Sequence, residues 1–359
     1  MSMIIHPRPS PLAAAMYTLR DLDADVIVLH GPSGCCFRPA RLLEKDGLRV
    51  ITTALTDEEF IFGAEQKLIK VLRRVDEFFH PKLLGLVGSC ASMIIGEDLR
   101  KAAREAGVED KTICCDIHSG FGDNTVGAVI VLKAALEKGL ITRHEFNRQK
   151  MMLEMATELE KNRGTARYEY LDPTPGDSPL NIAEEIMKKM KSGADIACVL
   201  NAKKETVFLY ADIMLALNEV ARRKSVRVRN LANLDASLGL PRVRSYAAEV
   251  LKMFRDRKIE VDHITGGLDE YPLTGIKARE ILLKDPPDIA VIAGIPHAVA
   301  VEDSIRCVAV TVGSRAVSNL KRLGYTSVIA DEDAHAISLG KDKKIQTSIF
   351  GQALRSAAE

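Results

Sequence analysis

The feature of the sequence that most limits its fold is an alternation: apolar runs of strand length recur, and segments with helical apolar spacing separate them. "ADVIVL" (residues 24–29), "LRVITTAL" (48–55), "KLLGLVG" (82–88) and "KTICCDI" (111–117) are strand-like. "RPARLLEK", "GAEQKLIKVLRRVDEFF" and "GEDLRKAAREAG" between them are helical in pattern. Such alternation requires a parallel sheet with right-handed crossovers. Residues 141–164 predict one long helix, and "YEYLDPTPGDSPLN" (168–181), rich in proline, glycine and aspartate, marks a domain break. The pattern resumes with "ADIACVLN", a helix over 205–224 and "VRVRNL", then again after "KDPPD" (284–288) with "IAVIAG", "IRCVAVTV", "SRAVSNLKRLG" and "YTSVIA". The expected fold is α/β, with parallel sheets in three Rossmann-like domains: residues 1–165, 166–255, and 256–359 with a C-terminal tail.

At 359 residues, with 47% apolar residues and a net charge of +1, the chain has ample core and no broad basic field for nucleic acid. No uninterrupted apolar run nears the roughly 18 residues that span a bilayer, and the N-terminus lacks a secretory pattern, so a cytoplasmic protein is expected. Seven cysteines, at 35, 36, 90, 114, 115, 198 and 307, are an odd set for a reducing compartment where structural disulfides are rare. Cys198 and Cys307 lie inside apolar strands and read as core. The other five end runs.

Ligands of parallel α/β sheets gather at the carboxyl edge of the strands. Cys35 follows the first strand through "HGPSG" and Cys90 follows the third through "GS", so both emerge on one edge of one sheet. Cys114 and Cys115 close the fourth strand, where neighbours point to opposite faces and at most one can turn to that edge. Three readings stand for Cys35 and Cys90. They are small residues tolerated in turns, or one is a nucleophile with His30 as its base, or they are ligands of a metal cluster completed by a second copy across a twofold axis. No phosphate-binding GxxxxGK[ST] loop occurs, which argues against ATP hydrolysis by this chain.

Four ordered motifs then carry a resemblance: "HGPSGC" (30–35), "FIFGAEQKL" (60–68), "GSCASMIIGEDL" (88–99) and "SGFGDNTVGA" (119–128). Together they resemble the nitrogenase component 1 superfamily. The resemblance implies that Cys35 and Cys90 are metal ligands of a 4Fe-4S cluster bridging two subunits of a homodimer. It also implies a partner: an ATP-dependent, nitrogenase-reductase-like iron-sulfur protein that binds the ATP and supplies electrons. The family's additional N-terminal cysteine has no counterpart before His30, which fits symmetric ligation by two cysteines per subunit. A mid-chain cysteine and late histidine arranged for an iron-molybdenum cofactor are missing, so the tetrapyrrole-reducing branch, with a nickel tetrapyrrole as substrate, is the closer likeness. A cofactor-assembly scaffold and a protochlorophyllide-type reductase are the alternatives. For such a substrate, His297, His118 and Asp116 are the candidate proton donors, and Arg38, Arg242 and Arg244 the candidate partners of its carboxylates. Arg227 and Arg229, alternating with valines, read as the solvated face of an edge strand.

Overall fold

The computed structural model describes residues 10–118, 120, 124–165, 171–299, 305–331 and 343–358. The chain divides into an N-terminal unit, Arg8–Glu154 with Leu240–Arg242, and a C-terminal unit, Met155–Gly239 with Val243–Glu359.

In the N-terminal unit, strands β1 (Val26–His30), β2 (Arg49–Thr52), β3 (Leu84–Gly88) and β4 (Thr112–Asp116) form one parallel sheet in the order β2-β1-β3-β4. β1 and β3 are buried along their whole length because helices cover both faces of the sheet. The helix α1 (Pro11–Asp21) starts where its residues dictate: the Ser10 side chain accepts from Ala13 N at 3.3 Å and Pro11 occupies the first turn. Helix α2 (Phe37–Lys45) follows the first cysteine loop, and α3 (Asp57–Phe62) opens with a capping box of Thr56 and Glu59. Helix α4 (Glu65–Phe79) buries Leu68, Ile69, Leu72 and Val75, one stripe at helical spacing, on the face of the sheet. Helix α5 (Cys90–Ile94) follows β3, and α6 (Leu99–Glu105) and α7 (Asn124–Glu137) complete the layers.

The long helix α8 (Arg143–Asn162) forms as its pattern predicts, and the division between the units falls within it, ahead of the proline-rich segment. Residues 166–170 of the expected break lie outside the described residues. The rest of that segment packs as part of the C-terminal unit: Asp177 N donates to Val328 O at 2.8 Å, and Val328 N donates to Asp177 Oδ2 at 2.7 Å.

The C-terminal unit holds helices α9 (Pro179–Lys191), α10 (Val207–Arg223), α11 (Pro241–Asp256, from Val243 on), α12 (Tyr271–Lys284) and α13 (Val317–Arg322). Its strands are β5 (Ile196–Asn201), β6 (Val228–Ala232), β7 (His263–Ile264), β8 (Ile289–Gly294), β9 (Arg306–Val312) and β10 (Ser327–Asp331). Where the sequence suggests a second and a third domain, the structure has one six-stranded parallel sheet, ordered β10-β9-β8-β5-β6-β7. The reason is the pairing of β5 with β8 from Ile196–Ile289 to Asn201–Gly294: both strands are buried throughout and need a hydrogen-bonded neighbour on each side. Cys198 and Cys307 lie buried in β5 and β9.

One edge-strand reading changes. Arg229 is not on a solvated face. Its side chain is 15% exposed and bonds Asp285, at the end of α12, and, at 3.3 Å, Asp195, directly ahead of the neighbouring strand β5. Arg227, 76% exposed and paired with Asp262, does face solvent.

Candidate functional site

Both sheets reverse direction once. In the N-terminal unit the chain runs from β1 outward to β2, then returns to the other side of β1 with β3, so the crevice of the switch point opens at the carboxyl ends of β1 and β3. Cys35 follows β1 and Cys90 follows β3. The two thiols face one region, since each raises the cost of ionising its neighbours there. Burial pushes the Cys35 thiol up and the charge of a Cys90 thiolate adds to it. Burial likewise pushes Cys36 up to about 11, against a hydrogen bond with Ser10 that favours its thiolate. Cys36 also has a left-handed backbone, φ 51°, at the start of α2, an uncommon state for a residue with a Cβ.

The loop between β1 and Cys35 is drawn tightly against the loop after β3. A Cβ on Gly31 would lie 2.4 Å from Ser89 Oγ and 3.8 Å from Cys35 Sγ, so only glycine permits this approach. Ser89 is fully buried and its hydroxyl has no hydrogen-bond partner among the described residues. An orphaned donor beside two partly exposed thiols, with a glycine letting the backbone come close, is a donor set that suits a sulfide-rich cluster. Among the described residues, no three or more His, Cys, Asp or Glu side chains gather as a metal cage.

The rim of this site is apolar and open: Phe37 beside the cysteines, Ile61 and Phe62 ending α3, and Ile94 on α5 are 64%, 73%, 82% and 80% exposed. The turn after α3 is tied to the α5 side, where Ala64 N donates to Glu97 Oε1 at 2.6 Å and Leu55, Ala64 and Ala91 form a small core.

His30 is not placed as a base. It is fully buried, its Nδ1 is 2.9 Å from Thr53 Oγ1, and burial together with the Lys67 charge lowers its pKa to about 4. Cys115 is buried on one face of β4 and Cys114 packs into the core on the other, its Sγ 3.8 Å from Leu99 O. Burial pushes both thiols up, that of Cys114 to about 12.

Of the other candidates in this unit, Asp116 ends β4, exposed, with a carboxyl that burial and Asp98 push upward. His118 closes its own turn, its Nδ1 accepting from Gly120 N at 3.0 Å. Ser119 and residues 121–123 of the fourth motif lie outside the described residues. Arg38 is exposed on the first turn of α2. Arg242 belongs to this unit, where Nε donates to Asp23 at 2.9 Å and Nη1 lies 3.6 Å from Asp46.

The C-terminal unit switches direction between β5 and β8, because β6 and β7 lie to one side and β9 and β10 to the other. His297, three residues past β8, is buried at that switch point with Nε2 3.4 Å from Glu160 Oε1. Arg244 is exposed on α11. Sequence reasoning missed Ser89, Glu160, Lys203 and Tyr271. Ser89 and Lys203 were within reach of the same edge rule that found the cysteines and His297, since each follows a strand by one or two residues.

The chain matches a family model described as nitrogenase component 1 type oxidoreductase over residues 10–162. It is 51% identical over 98% of its length, and 98% of the relative's, to the Ni-sirohydrochlorin a,c-diamide reductive cyclase complex component CfbD of Methanothermobacter thermautotrophicus. It is 43% identical to the CfbD component of Methanosarcina acetivorans over 99% of this chain and 98% of that one. To the CfbD component of Methanocaldococcus jannaschii it is 46% identical, covering 99% and 100%. Among the described residues, no helix is long and apolar enough to cross a membrane.

Proposed function

The chain belongs to the family of CfbD components of the Ni-sirohydrochlorin a,c-diamide reductive cyclase complex, within the nitrogenase component 1-like proteins, and we propose that it is the catalytic component that reduces and cyclises that nickel tetrapyrrole. The reaction belongs to biosynthesis of the nickel tetrapyrrole coenzyme F(430). The observation that carries the reading is near-full-length identity of 43% to 51% with three such components.

Cys35 and Cys90 would hold a 4Fe-4S cluster as two thiolates from each subunit of a homodimer, and the exposed rim of Phe37, Ile61, Phe62 and Ile94 supports a second subunit closing over them. Bound there, the cluster would supply one-electron transfer from an ATP-dependent, nitrogenase-reductase-like partner of the CfbC type to the substrate. Ser89, whose buried hydroxyl has no hydrogen-bond partner among the described residues, would be available to hydrogen-bond a sulfur of the bound cluster.

Protons must accompany the electrons. His297 is the proton donor we favour, since it is held at a strand-edge crevice beside a carboxylate. Asp116 and His118 are lesser candidates on the N-terminal unit's edge. Arg38 and Arg244, both exposed, are the arginines that could meet substrate carboxylates; Arg242, engaged with Asp23 and Asp46, would have to release them first.

The test is anaerobic purification with iron and sulfide counted per dimer, followed by turnover of Ni-sirohydrochlorin a,c-diamide with the reductase and ATP. About four irons and four sulfides on a homodimer, with substrate-dependent oxidation of the cluster, are expected. An iron-free folded protein after anaerobic reconstitution would remove the cluster from the reading, and a cluster that substrate never oxidises would leave a scaffold.

A further inference from the structure

The β5/β8 switch point contains more than His297. One carboxylate oxygen, Glu160 Oε1, accepts hydrogen bonds from Lys203 Nζ at 3.0 Å and Tyr271 Oη at 3.2 Å, and His297 Nε2 lies 3.4 Å from it, at ion-pair distance but without hydrogen-bond geometry, a buried nitrogen with no hydrogen-bond partner among the described residues. Three of the four come from the carboxyl edge of the sheet: Lys203 two residues after β5, Tyr271 at the start of the helix after β7, and His297 after β8. Glu160 reaches in from the last turn of α8. A Cβ on Gly164 would lie 2.1 Å from Glu160 Oε2, so glycine is needed where the chain folds over this carboxylate.

The frame around the four side chains is fully tied. Asn201 Nδ2 donates to Tyr271 O at 3.1 Å and Thr274 Oγ1 donates to Asn201 Oδ1 at 2.6 Å. Asn233 exchanges two hydrogen bonds with the backbone of Ala202, at 2.9 and 2.8 Å, directly before Lys203. Tyr325 Oη lies 2.5 Å from Pro296 O and 2.7 Å from Val299 O, holding the turn that carries His297. Lys203 Nζ also lies over the Tyr271 ring, 4.6 Å from its centre.

Burial raises the Glu160 carboxyl pKa, but Lys203 and then His297 outweigh it and hold the group well below the usual carboxylate range. Burial works against the Lys203 charge, and Glu160 more than restores it, with a further contribution from Glu205. Glu160 and Lys203 thus form an ion pair, and His297 faces the carboxylate of that pair at a topological switch point, where ligands of such sheets bind.

We propose that Glu160 is the positioning residue of this crevice: its carboxylate, paired with Lys203, holds the Nε2–H edge of His297 and leaves Nδ1 as the nitrogen that exchanges a proton with the reduced tetrapyrrole. The inference rests on the reading of His297 as proton donor and adds the group that orients it. In the step, the Nδ1–H bond of the imidazolium breaks and the proton passes to a ring position that has received electrons from the reductase partner. The neutral ring keeps its other proton on Nε2, facing Glu160, and solvent restores the one lost.

The experiment uses the full chain with histidine nitrogens labelled for NMR, and the reconstituted complex for turnover. The native protein should show His297 with its neutral-form proton on Nε2. Glu160→Gln should change that nitrogen spectrum and lower kcat at least tenfold, with KM within twofold, while Glu160→Asp recovers part of the rate. A folded Glu160→Gln protein with native turnover and an unchanged His297 spectrum would overturn the proposal. Should that variant fail to fold because Lys203 is left unpaired, Glu160→Gln with Lys203→Met removes both charges and is judged by the same two readouts. If neither folds, the native spectrum decides, and a proton on Nδ1 overturns the assignment. Full turnover by His297→Gln rejects the donor reading itself; loss in His297→Gln with native behaviour in Glu160→Gln rejects only the role of Glu160.

Discussion

The two switch points are built on the same plan and furnished in opposite ways. At β1/β3 the strands deliver sulfur: Cys35 and Cys90, with apolar residues around them open to solvent. At β5/β8 they deliver polar groups: half-buried Lys203 and buried His297, gathered by the buried Glu160. Each crevice also has a buried histidine, and these differ in one respect that matters. His30 has its nearest carboxylate, Glu97, 3.9 Å away and a hydroxyl, Thr53, as its close partner, whereas His297 has Glu160 at 3.4 Å. The lesson is that a parallel sheet supplies a place for ligands, and the residues that happen to follow the strands decide which chemistry occupies it.

The sharpest way to break the comparison is through the thiols. Cys35→Ala and Cys90→Ala should each abolish the cluster, measured as iron and sulfide per dimer, whereas Cys198→Ala, buried in β5, should leave it intact. Full cluster content in both of the first two variants would sink the assignment. Next, His297→Gln should keep the iron count and cost about a hundredfold in turnover, the scale of a lost general acid. Loss of iron in that variant would mean that the two centres are not separable in function.

A third test uses pH. His30 has a folded-state pKa lowered to about 4 from 6.5, so the unfolded chain takes up a proton first as acid is added. The stability this group contributes is whole above pH 6.5 and is lost as pH falls toward 4, by about 3 kcal/mol in all. Denaturant titrations of the native protein and His30→Asn should diverge in that window; parallel curves would contradict the burial argument. The smallest effect is expected from Gly31→Ala, whose new methyl meets Ser89 Oγ: a loss of about 1–3 kcal/mol, read by thermal unfolding, that Ser89→Gly should partly relieve.

Much of this was legible beforehand, because the signals are local. Apolar runs such as Val26–His30 and Ile289–Gly294 are strands from their composition, and the edge rule then puts Cys35, Cys90 and His297 at carboxyl ends. The short helix α3 was not read from the sequence, since its exposed Ile61 and Phe62 carry no periodic signal, although the Thr56 and Glu59 of its capping box are a local cue to it. Arg242 shows the opposite case. A turn arginine before a helix looks available for a ligand, yet Asp23 and Asp46, some two hundred residues earlier, take its guanidinium.

By itself the sequence determined the α/β class, the parallel strands and the residues that end them, since these follow from backbone periodicity and from which groups tolerate burial. Tertiary structure decided the rest. Whether two strand groups make two sheets or one depended on which edges paired, and β5 with β8 joined them. Which carboxylate meets which histidine depended on α8 bringing Glu160 to a residue 137 positions later, from 160 to 297. Pair energies between charges fall with distance in space and are blind to distance along the chain, so no reading of neighbours could have found that contact.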